Sequence, residues 1–336
     1  MTQLSLPKDP LSRFRDIYEA LNAERSWYQG ASPLRFAALS AMMCTGDARK
    51  IAAEIRRVGE RIKEESGWFG ALNSDLRFIV AAMLILNGDT ARGLLNEVKR
   101  VQEMFREASI RRGSIYETMA IFVLRMSSER KLVSMTTVNR FKSIYETMKK
   151  YHWWLTGPDD FPACAILTGR SESVELIGST IERIYQALRS EGFSAGDPLQ
   201  SAANLLYLVE STPAEIARRY RDLAEGFKRA GVSIWQSDYD ELTILSFLDH
   251  PAKLVVDRVL AHREDMAALR PKPDRSLTFN LASSIAFCDL VGIDGQLKRI
   301  TDAKALIDMQ AIIAAQQAAA VAAATSAAAA SSASSS

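Results

Sequence analysis

Seven short apolar runs recur along this sequence of 336 residues, and their onsets lie about 40 residues apart. The runs begin near Leu34, Leu76, Tyr116, Phe161, Leu199, Leu242 and Leu277. A spacing of this length is typical of helical hairpins, each of which buries its apolar helix against its neighbours. No stretch alternates apolar and polar residues long enough to predict a strand. The pattern therefore favours a helical array over any fold built around a sheet.

A second, amphipathic helix is predicted after each apolar run. One face of the first such helix collects Ile51, Ile55, Val58 and Ile62, and Arg, Lys and Glu occupy the opposite face. The clearest start signal is Thr212, because Pro213 would occupy the first helical position and Glu215 can complete a capping box. Each run and the helix after it therefore form a hairpin.

The predicted fold class is all-α: a right-handed array of about seven helical-hairpin repeats, which is an α-solenoid or α/α superhelix, with an Ala-rich C-terminal helix. Residues 1–30 would form an N-terminal capping helix, residues 31–300 the helical-repeat domain, and residues 301–336 an Ala-rich helix that frays into a Ser/Ala tail. The capping helix is predicted from the helical spacing of Phe14, Ile17, Tyr18 and Leu21.

The composition is that of an ordinary soluble globular chain, with 48% hydrophobic and 24% charged residues and a formal net charge of +2. This balance provides no global field to attract nucleic acid or an anionic membrane. Lys8 and Asp9 occupy positions where a signal peptide would need an apolar run. The cysteines Cys44, Cys164 and Cys288 are too far apart for a disulfide framework and are expected to be buried, reduced thiols. We therefore expect a cytoplasmic protein without a membrane span.

Three features make the chain resemble a known family. They are the recurring endings of the second helices, the segment Leu155–Pro162 (Leu-Thr-Gly-Pro-Asp-Asp-Phe-Pro), and the alanine-rich segment Ala311–Ala320. Together they resemble a bacterial family of uncharacterised proteins, the domain-of-unknown-function family 4003, in which a tyrosine is usual where this chain has Phe161. The resemblance covers nearly the whole chain. It implies an all-helical fold and no known activity.

Established catalytic motifs are not found in the sequence. It has no phosphate-binding glycine loop, no dinucleotide fingerprint, no Gly-x-Ser-x-Gly elbow and no His-Glu-x-x-His. The three histidines, His152, His250 and His262, are too scattered to form a ligand cluster. No catalytic residue, metal or cofactor is therefore predicted.

The least repeat-like segment is 151–160, and it supplies the candidate binding residues His152, Trp153, Trp154, Asp159 and Asp160. Tryptophans supply large, rigid contact area, and paired carboxylates can bind a cation or exchange a proton. A structural interpretation remains open, in which the aromatic residues pack the loop and Asp160 caps the helix that begins near Phe161.

A second candidate surface is basic. Seven cations between residues 111 and 142 could together form a patch for an acidic partner. They are Arg111, Arg112, Arg125, Arg130, Lys131, Arg140 and Lys142. Stacking aromatic residues are not interleaved among them, so nucleic acid is disfavoured as the partner.

The sequence thus predicts a protein-binding scaffold or adaptor whose partner is another protein or a peptide, because helical arrays offer extended surfaces and usually carry no chemistry of their own. The alternative is an enzyme that uses the concave face of the array, with the loop 154–160 at its mouth. Fold alone does not choose between them, and the oligomeric state stays open.

Overall fold

The computed structural model describes residues 6–27, 29–66, 72, 74–110, 114–128 and 131–293. Over these residues, the regular elements are fourteen α-helices and two 3-10 turns, with no strand. The predicted all-α class is confirmed.

The helices alternate in the predicted order. After α1 (Pro10–Ala23), the apolar helices are α2 (Ala31–Ser40), α4 (Leu76–Leu86), α6 (Ser114–Ser127), α8 (Phe161–Thr168), α10 (Asp197–Leu206), α12 (Tyr239–Ser246) and α14 (Arg275–Ile293). The amphipathic helices are α3 (Ala48–Ser66), α5 (Ala91–Glu107), α7 (Met135–Tyr151), α9 (Val174–Ser190), α11 (Pro213–Arg229) and α13 (Ala252–Ala267). Each of the seven predicted onsets lies in one of the apolar helices. The 3-10 turns Pro158–Asp160 and Gln236–Asp238 directly precede α8 and α12.

Two compact units divide the described chain. Unit 1 contains residues 6–7 and 12–95, and unit 2 contains residues 8–11 and 96–293. In unit 1, α4 packs against both α2 and α3, and the four apolar residues predicted on one face of α1 are all buried. The boundaries proposed at residues 30 and 300 stay predictions, and residues 301–336, with the predicted Ala-rich helix, lie outside the described residues.

In unit 2, helices of the same kind lie side by side. The apolar helices α6, α8, α10, α12 and α14 contact one another in chain order. The amphipathic helices α7, α9, α11 and α13 do the same, and α13 also packs on α14. The apolar helices are therefore enclosed, which explains why their apolar residues are not confined to one face.

Local signals account for where several helices begin and end. Thr212 Oγ1 accepts from the Glu215 N–H at 3.3 Å, and Glu215 Oε2 accepts from the Thr212 N–H at 3.1 Å, so the predicted capping box at α11 is present. Gly192 and Gly231 follow α9 and α11 with φ of +91° and +77°, the left-handed conformation that glycine adopts without steric strain.

The three cysteines are buried and free, as expected from the sequence. Among the described residues, no single helix is both long and apolar enough to cross a membrane.

Candidate functional site

The segment after α7 folds back on itself in two turns. The His152 carbonyl accepts from the N–H groups of Leu155 and Thr156 at 3.1 and 3.0 Å, and from the Thr156 hydroxyl at 3.0 Å. The 3-10 turn follows, in which the Asp160 N–H donates to the Gly157 carbonyl at 3.2 Å. Of the five predicted site residues, Trp153, Trp154 and Asp159 are exposed, and His152 and Asp160 are buried.

The outer face carries a tryptophan pair, Trp153 and Trp154, whose side chains are 71% and 64% exposed. Their rings meet edge to face, with centroids 5.8 Å apart. The two side chains thus form one exposed aromatic surface.

His152 does not face solvent with the tryptophans, because it is buried between helices. Its Nε2 lies 2.7 Å from Glu182 Oε2 on α9, and its ring packs 4.4 Å from the Tyr185 ring and 6.3 Å from that of Trp154, measured between centroids. His152 therefore contacts one ring of the tryptophan pair and joins the end of α7 to α9.

Asp160 lies at the predicted N-cap position of α8, but its side chain faces inward and does not cap the helix. The carboxyl group of Asp160 makes no capping bond to the N–H groups of α8. Its Oδ2 instead accepts from the preceding Gly157 N–H at 3.0 Å, and its Oδ1 accepts from Asn204 Nδ2 on α10 at 3.1 Å. The side chain closes its own turn and contacts the next apolar helix.

Asn204 in turn accepts, through its Oδ1, from Gln200 Nε2 at 3.2 Å. All three side chains are buried, and we call Asp160, Asn204 and Gln200 the acid–amide cluster. Gln200 Oε1 is buried and has no hydrogen-bond partner. An unfilled acceptor in a buried position costs free energy, so this atom needs a physical explanation.

Burial and neighbouring charges shift the pKa values of the acids in this region. Burial, reinforced by the charges of Asp159 and Asp197, raises the pKa of Asp160 to about 8. Asp159 reaches solvent, but the protein packed around it removes part of its hydration, and this desolvation together with Asp197 raises the pKa of its carboxyl group. Burial, together with the charge of Asp159, also raises the pKa of Tyr116 on α6. At neutral pH, Asp160 therefore holds a proton that an exposed aspartate would have lost.

Sequence reasoning missed four neighbours of this loop: Tyr116, Asp197, Gln200 and Asn204. In the sequence, Asp197 is only an acid at the start of a predicted helix, a position where Asp is common. The usable signal was Asn204, an amide inside an otherwise apolar run. A buried amide needs partners, so its position indicates a polar contact between helices.

The predicted basic patch is only partly described. Arg111, Arg112 and Arg130 lie outside the described residues. Arg125 is buried, and Arg140, which is partly exposed, donates to the carbonyls of Thr168, Arg170 and Glu172. Lys131 is exposed, and Lys142 lies 3.6 Å from Glu146 on the same helix.

A second buried acid lies further along the apolar helices. Glu241 on α12 accepts from Asn280 Nδ2 on α14 at 2.5 Å, while Glu241 Oε2 and Asn280 Oδ1 have no partner. Burial, with the charge of Asp240, raises the pKa of Glu241 to about 8. If the Glu241 carboxyl group is protonated, its O–H can donate to Asn280 Oδ1, and both atoms then have a partner. Over the described residues, no group of three or more His, Cys, Asp or Glu side chains is placed to hold a metal ion.

Comparison with known proteins gives one family. The sequence matches the family described as Protein of unknown function (DUF4003) over residues 17–318. The chain belongs to this family. It is also 23% identical over 197 residues to the Uncharacterized protein YeaA of Bacillus subtilis (strain 168), which covers 56% of this chain and 58% of that protein. The matched segment thus spans a little over half the length of that relative, and no solved structure matches the chain.

The DUF4003 match includes the tryptophan pair, the acid–amide cluster and Asp197. It therefore confirms the family resemblance read from the sequence. It assigns no reaction or partner to these residues.

Proposed function

We propose that this DUF4003 chain is a cytoplasmic protein-binding scaffold. In this proposal, stacked helical hairpins form a right-handed solenoid and present the tryptophan pair to another protein or a peptide. The observation that carries the proposal is the exposure of the adjacent Trp153 and Trp154 side chains, at 71% and 64%.

Exposed tryptophans of this kind are a strong source of binding energy. An aromatic side chain can bury about 150–250 Å², and apolar burial contributes about 25 cal/mol per Å², so each ring can add several kcal/mol. Tryptophan is accordingly enriched among the few residues that dominate protein interfaces. The gain is largest when the side chains are already ordered before the partner arrives.

The packing beneath the pair supports such order. Trp154 rests edge to face on the His152 ring, and the contacts of His152 with Glu182 and Tyr185 tie that ring to α9. Binding therefore requires little rearrangement of the loop. The three free, buried cysteines are consistent with a reducing compartment such as the cytosol.

An enzyme is the alternative, and one observation favours it. A carboxyl group with a pKa near 8, such as Asp160, can donate or accept a proton at neutral pH. The two functions use different residues, since the scaffold depends on the tryptophan pair and the enzyme on Asp160.

The test is quantitative affinity purification from the native cytosol with three baits: the unaltered chain, Trp153→Ala/Trp154→Ala and Trp235→Ala. Trp235 is the matched control, because it is also 62% exposed and precedes the other 3-10 turn. We expect a partner retained by the unaltered chain and by Trp235→Ala to fall at least tenfold with the double variant. Equal recovery of the same proteins by all three baits would show that the tryptophan pair does not take part in the interaction, provided circular dichroism shows that each bait is folded.

A further inference from the structure

The two 3-10 turns of unit 2 are closed by the same side-chain-to-backbone hydrogen bond. In each, the last residue is a buried aspartate whose Oδ2 accepts from the N–H three residues earlier. Asp160 accepts from Gly157 at 3.0 Å, and Asp238 accepts from Trp235 at 2.8 Å. Both aspartates directly precede an apolar helix, α8 or α12. The turns are therefore equivalent positions in two hairpins.

The second turn, Gln236–Asp238, binds a guanidinium group from another helix. Arg275, the first residue of α14, donates from Nη1 to Asp238 Oδ1 at 3.2 Å and from Nη2 to Asp238 Oδ2 at 3.0 Å. Its side chain is 39% exposed, whereas that of Asp238 is 1% exposed. A cation that enters from the surface thus reaches a buried aspartate at this position.

The first turn has an acid where the second has the arginine. Asp197 is the first residue of α10, and it follows Asp160 by the same 37 residues that separate Arg275 from Asp238. Asp197 is exposed, as Arg275 is. In the part of the chain that the structure describes, neither Asp160 nor Asp197 forms an ion pair. At the first turn, two carboxyl groups therefore take the sequence positions that an acid and its cation take at the second turn.

A third acceptor lies on the same helix as Asp197. Gln200 lies one helical turn after Asp197, and its amide nitrogen is hydrogen-bonded into the acid–amide cluster through Asn204. The other atom of that amide, Oε1, is without a partner although the residue is only 1% exposed. A buried carbonyl oxygen usually accepts a hydrogen bond, so a donor from outside the chain can satisfy Gln200 Oε1.

We propose that the turn before α8 binds a guanidinium group of a ligand, which takes the place that Arg275 takes in the turn before α12, with Asp160, Asp197 and Gln200 Oε1 as its acceptors. A guanidinium group fits this set because it has five N–H donors in one plane and pairs with carboxylates in a bidentate way. An ammonium group has three donors and no planar fork. The inference does not depend on the tryptophan pair.

The group can come from a free small molecule or from an arginine side chain of a partner, and calorimetric titration separates these sources. Agmatine and L-arginine represent the first source, and the peptide acetyl-Gly-Arg-Gly-amide represents the second. Putrescine, L-lysine and acetyl-Gly-Lys-Gly-amide are the matched amines. We expect at least one guanidinium compound to bind the full-length chain at least tenfold more tightly than its amine counterpart, with titrations continued to about 10 mM.

Variants locate the binding. Asp197→Asn should weaken it at least tenfold, and Asp197→Arg should abolish it because the new side chain occupies the site as Arg275 does. Asp257→Asn is the control, since Asp257 is an exposed aspartate of α13 that pairs with Lys253. Absence of binding by all guanidinium compounds, equal binding of the amines, or unchanged affinity in Asp197→Asn would each overturn the proposal. The comparison of guanidinium and amine ligands on the unaltered chain remains decisive even if a variant does not fold.

Discussion

The turns before α8 and α12 place a buried aspartate at the same point of the hairpin but satisfy it in opposite ways. Asp238 receives two hydrogen bonds from Arg275 and one from its own turn. Asp160 receives one from its own turn and one from the neutral amide of Asn204. A cation therefore faces the first carboxyl group. Around Asp160, burial and the charges of Asp159 and Asp197 favour the protonated acid, although its two hydrogen bonds act in the opposite direction. The difference shows that the same turn, with a buried aspartate at its end, can hold a structural ion pair in one hairpin and form a candidate site in another.

The largest expected effect follows from removing the cation of the structural pair. Arg275→Met leaves the Asp238 carboxylate buried without its partner. Losing one member of a buried pair typically costs about 3–5 kcal/mol, and the partial exposure of Arg275 places the expected loss near the lower end, at about 3 kcal/mol. Urea unfolding measures it. A loss below about 1 kcal/mol would mean that water satisfies Asp238 and that the two turns are less different than their contacts indicate.

Stability should also fall as pH rises, because of Asp160. Its pKa is about 8 in the folded chain and about 3.9 in the unfolded chain. Between these values, the folded state retains a proton that the unfolded state has lost, so the free energy of unfolding decreases with increasing pH, by at most about 1.4 kcal/mol per pH unit. The stabilisation is complete below about pH 4 and is lost as pH passes through 8. The groups that face Asp160 and set this window are Asp159 in its own turn and Asp197 on α10.

Asp160→Asn tests this window directly. The neutral amide removes the charge that is costly at high pH, so we expect the variant to be more stable than the unaltered chain by about 2 kcal/mol at pH 8 and to depend less on pH. Asp238→Asn is the matched control and should be destabilised at the same pH, since it loses its ion pair with Arg275. A destabilised Asp160→Asn at pH 8 would contradict this prediction.

Part of the slope should survive in Asp160→Asn, because Glu241 has a similarly raised pKa. Glu241→Gln can form a mutual amide pair with Asn280, which satisfies both atoms now without partners. Combining the two substitutions should therefore flatten the profile further than either one alone, as pH-dependent chemical unfolding would show.

A smaller effect is expected from making the two turns alike. Asp197→Arg places a guanidinium group beside Asp160 as Arg275 lies beside Asp238, and removes a like charge. We expect a gain of about 1 kcal/mol at pH 8 and a lower pKa for Asp160, because a nearby cation favours the charged carboxylate. Carboxyl resonances followed by NMR would report the pKa. A destabilised variant would indicate that the start of α10 does not approach the turn as α14 does.

The helices could be predicted from the sequence because their signals are local. Apolar period, the Thr212 capping box and the glycines after α9 and α11 each depend on residues within a few positions of one another. The direction of the Asp160 side chain could not be predicted in this way. Whether a carboxyl group accepts from the N–H before it or after it depends on its surroundings, and the decisive partner, Asn204, lies 44 residues away.

The same limit explains the basic residues. Arg125 and Arg140 look like surface cations in a linear reading, because charged residues are usually exposed. Arg125 is buried in α6, and Arg140 donates to carbonyl groups at the end of α8 and in the segment that follows it. Arginine has five donors and often satisfies carbonyl groups at helix ends, so charge alone does not predict an interaction surface.

The smallest effect is expected at the residue that differs most between the turns, Gly157, whose equivalent is Trp235. Gly157 has φ of −127° and Trp235 has φ of −109°, so both lie in extended backbone that any residue adopts. A Cβ on Gly157 would lie 2.4 Å from Asp159 Oδ1, so the Asp159 side chain has to shift. A shift confined to the end of a short, exposed side chain costs little free energy. Gly157→Ala should therefore change the free energy of unfolding by less than about 0.5 kcal/mol. A loss above 1 kcal/mol in urea unfolding would mean that the Asp159 carboxyl group is fixed in place, and guanidinium titrations of the variant would then show whether that fixed position serves the ligand.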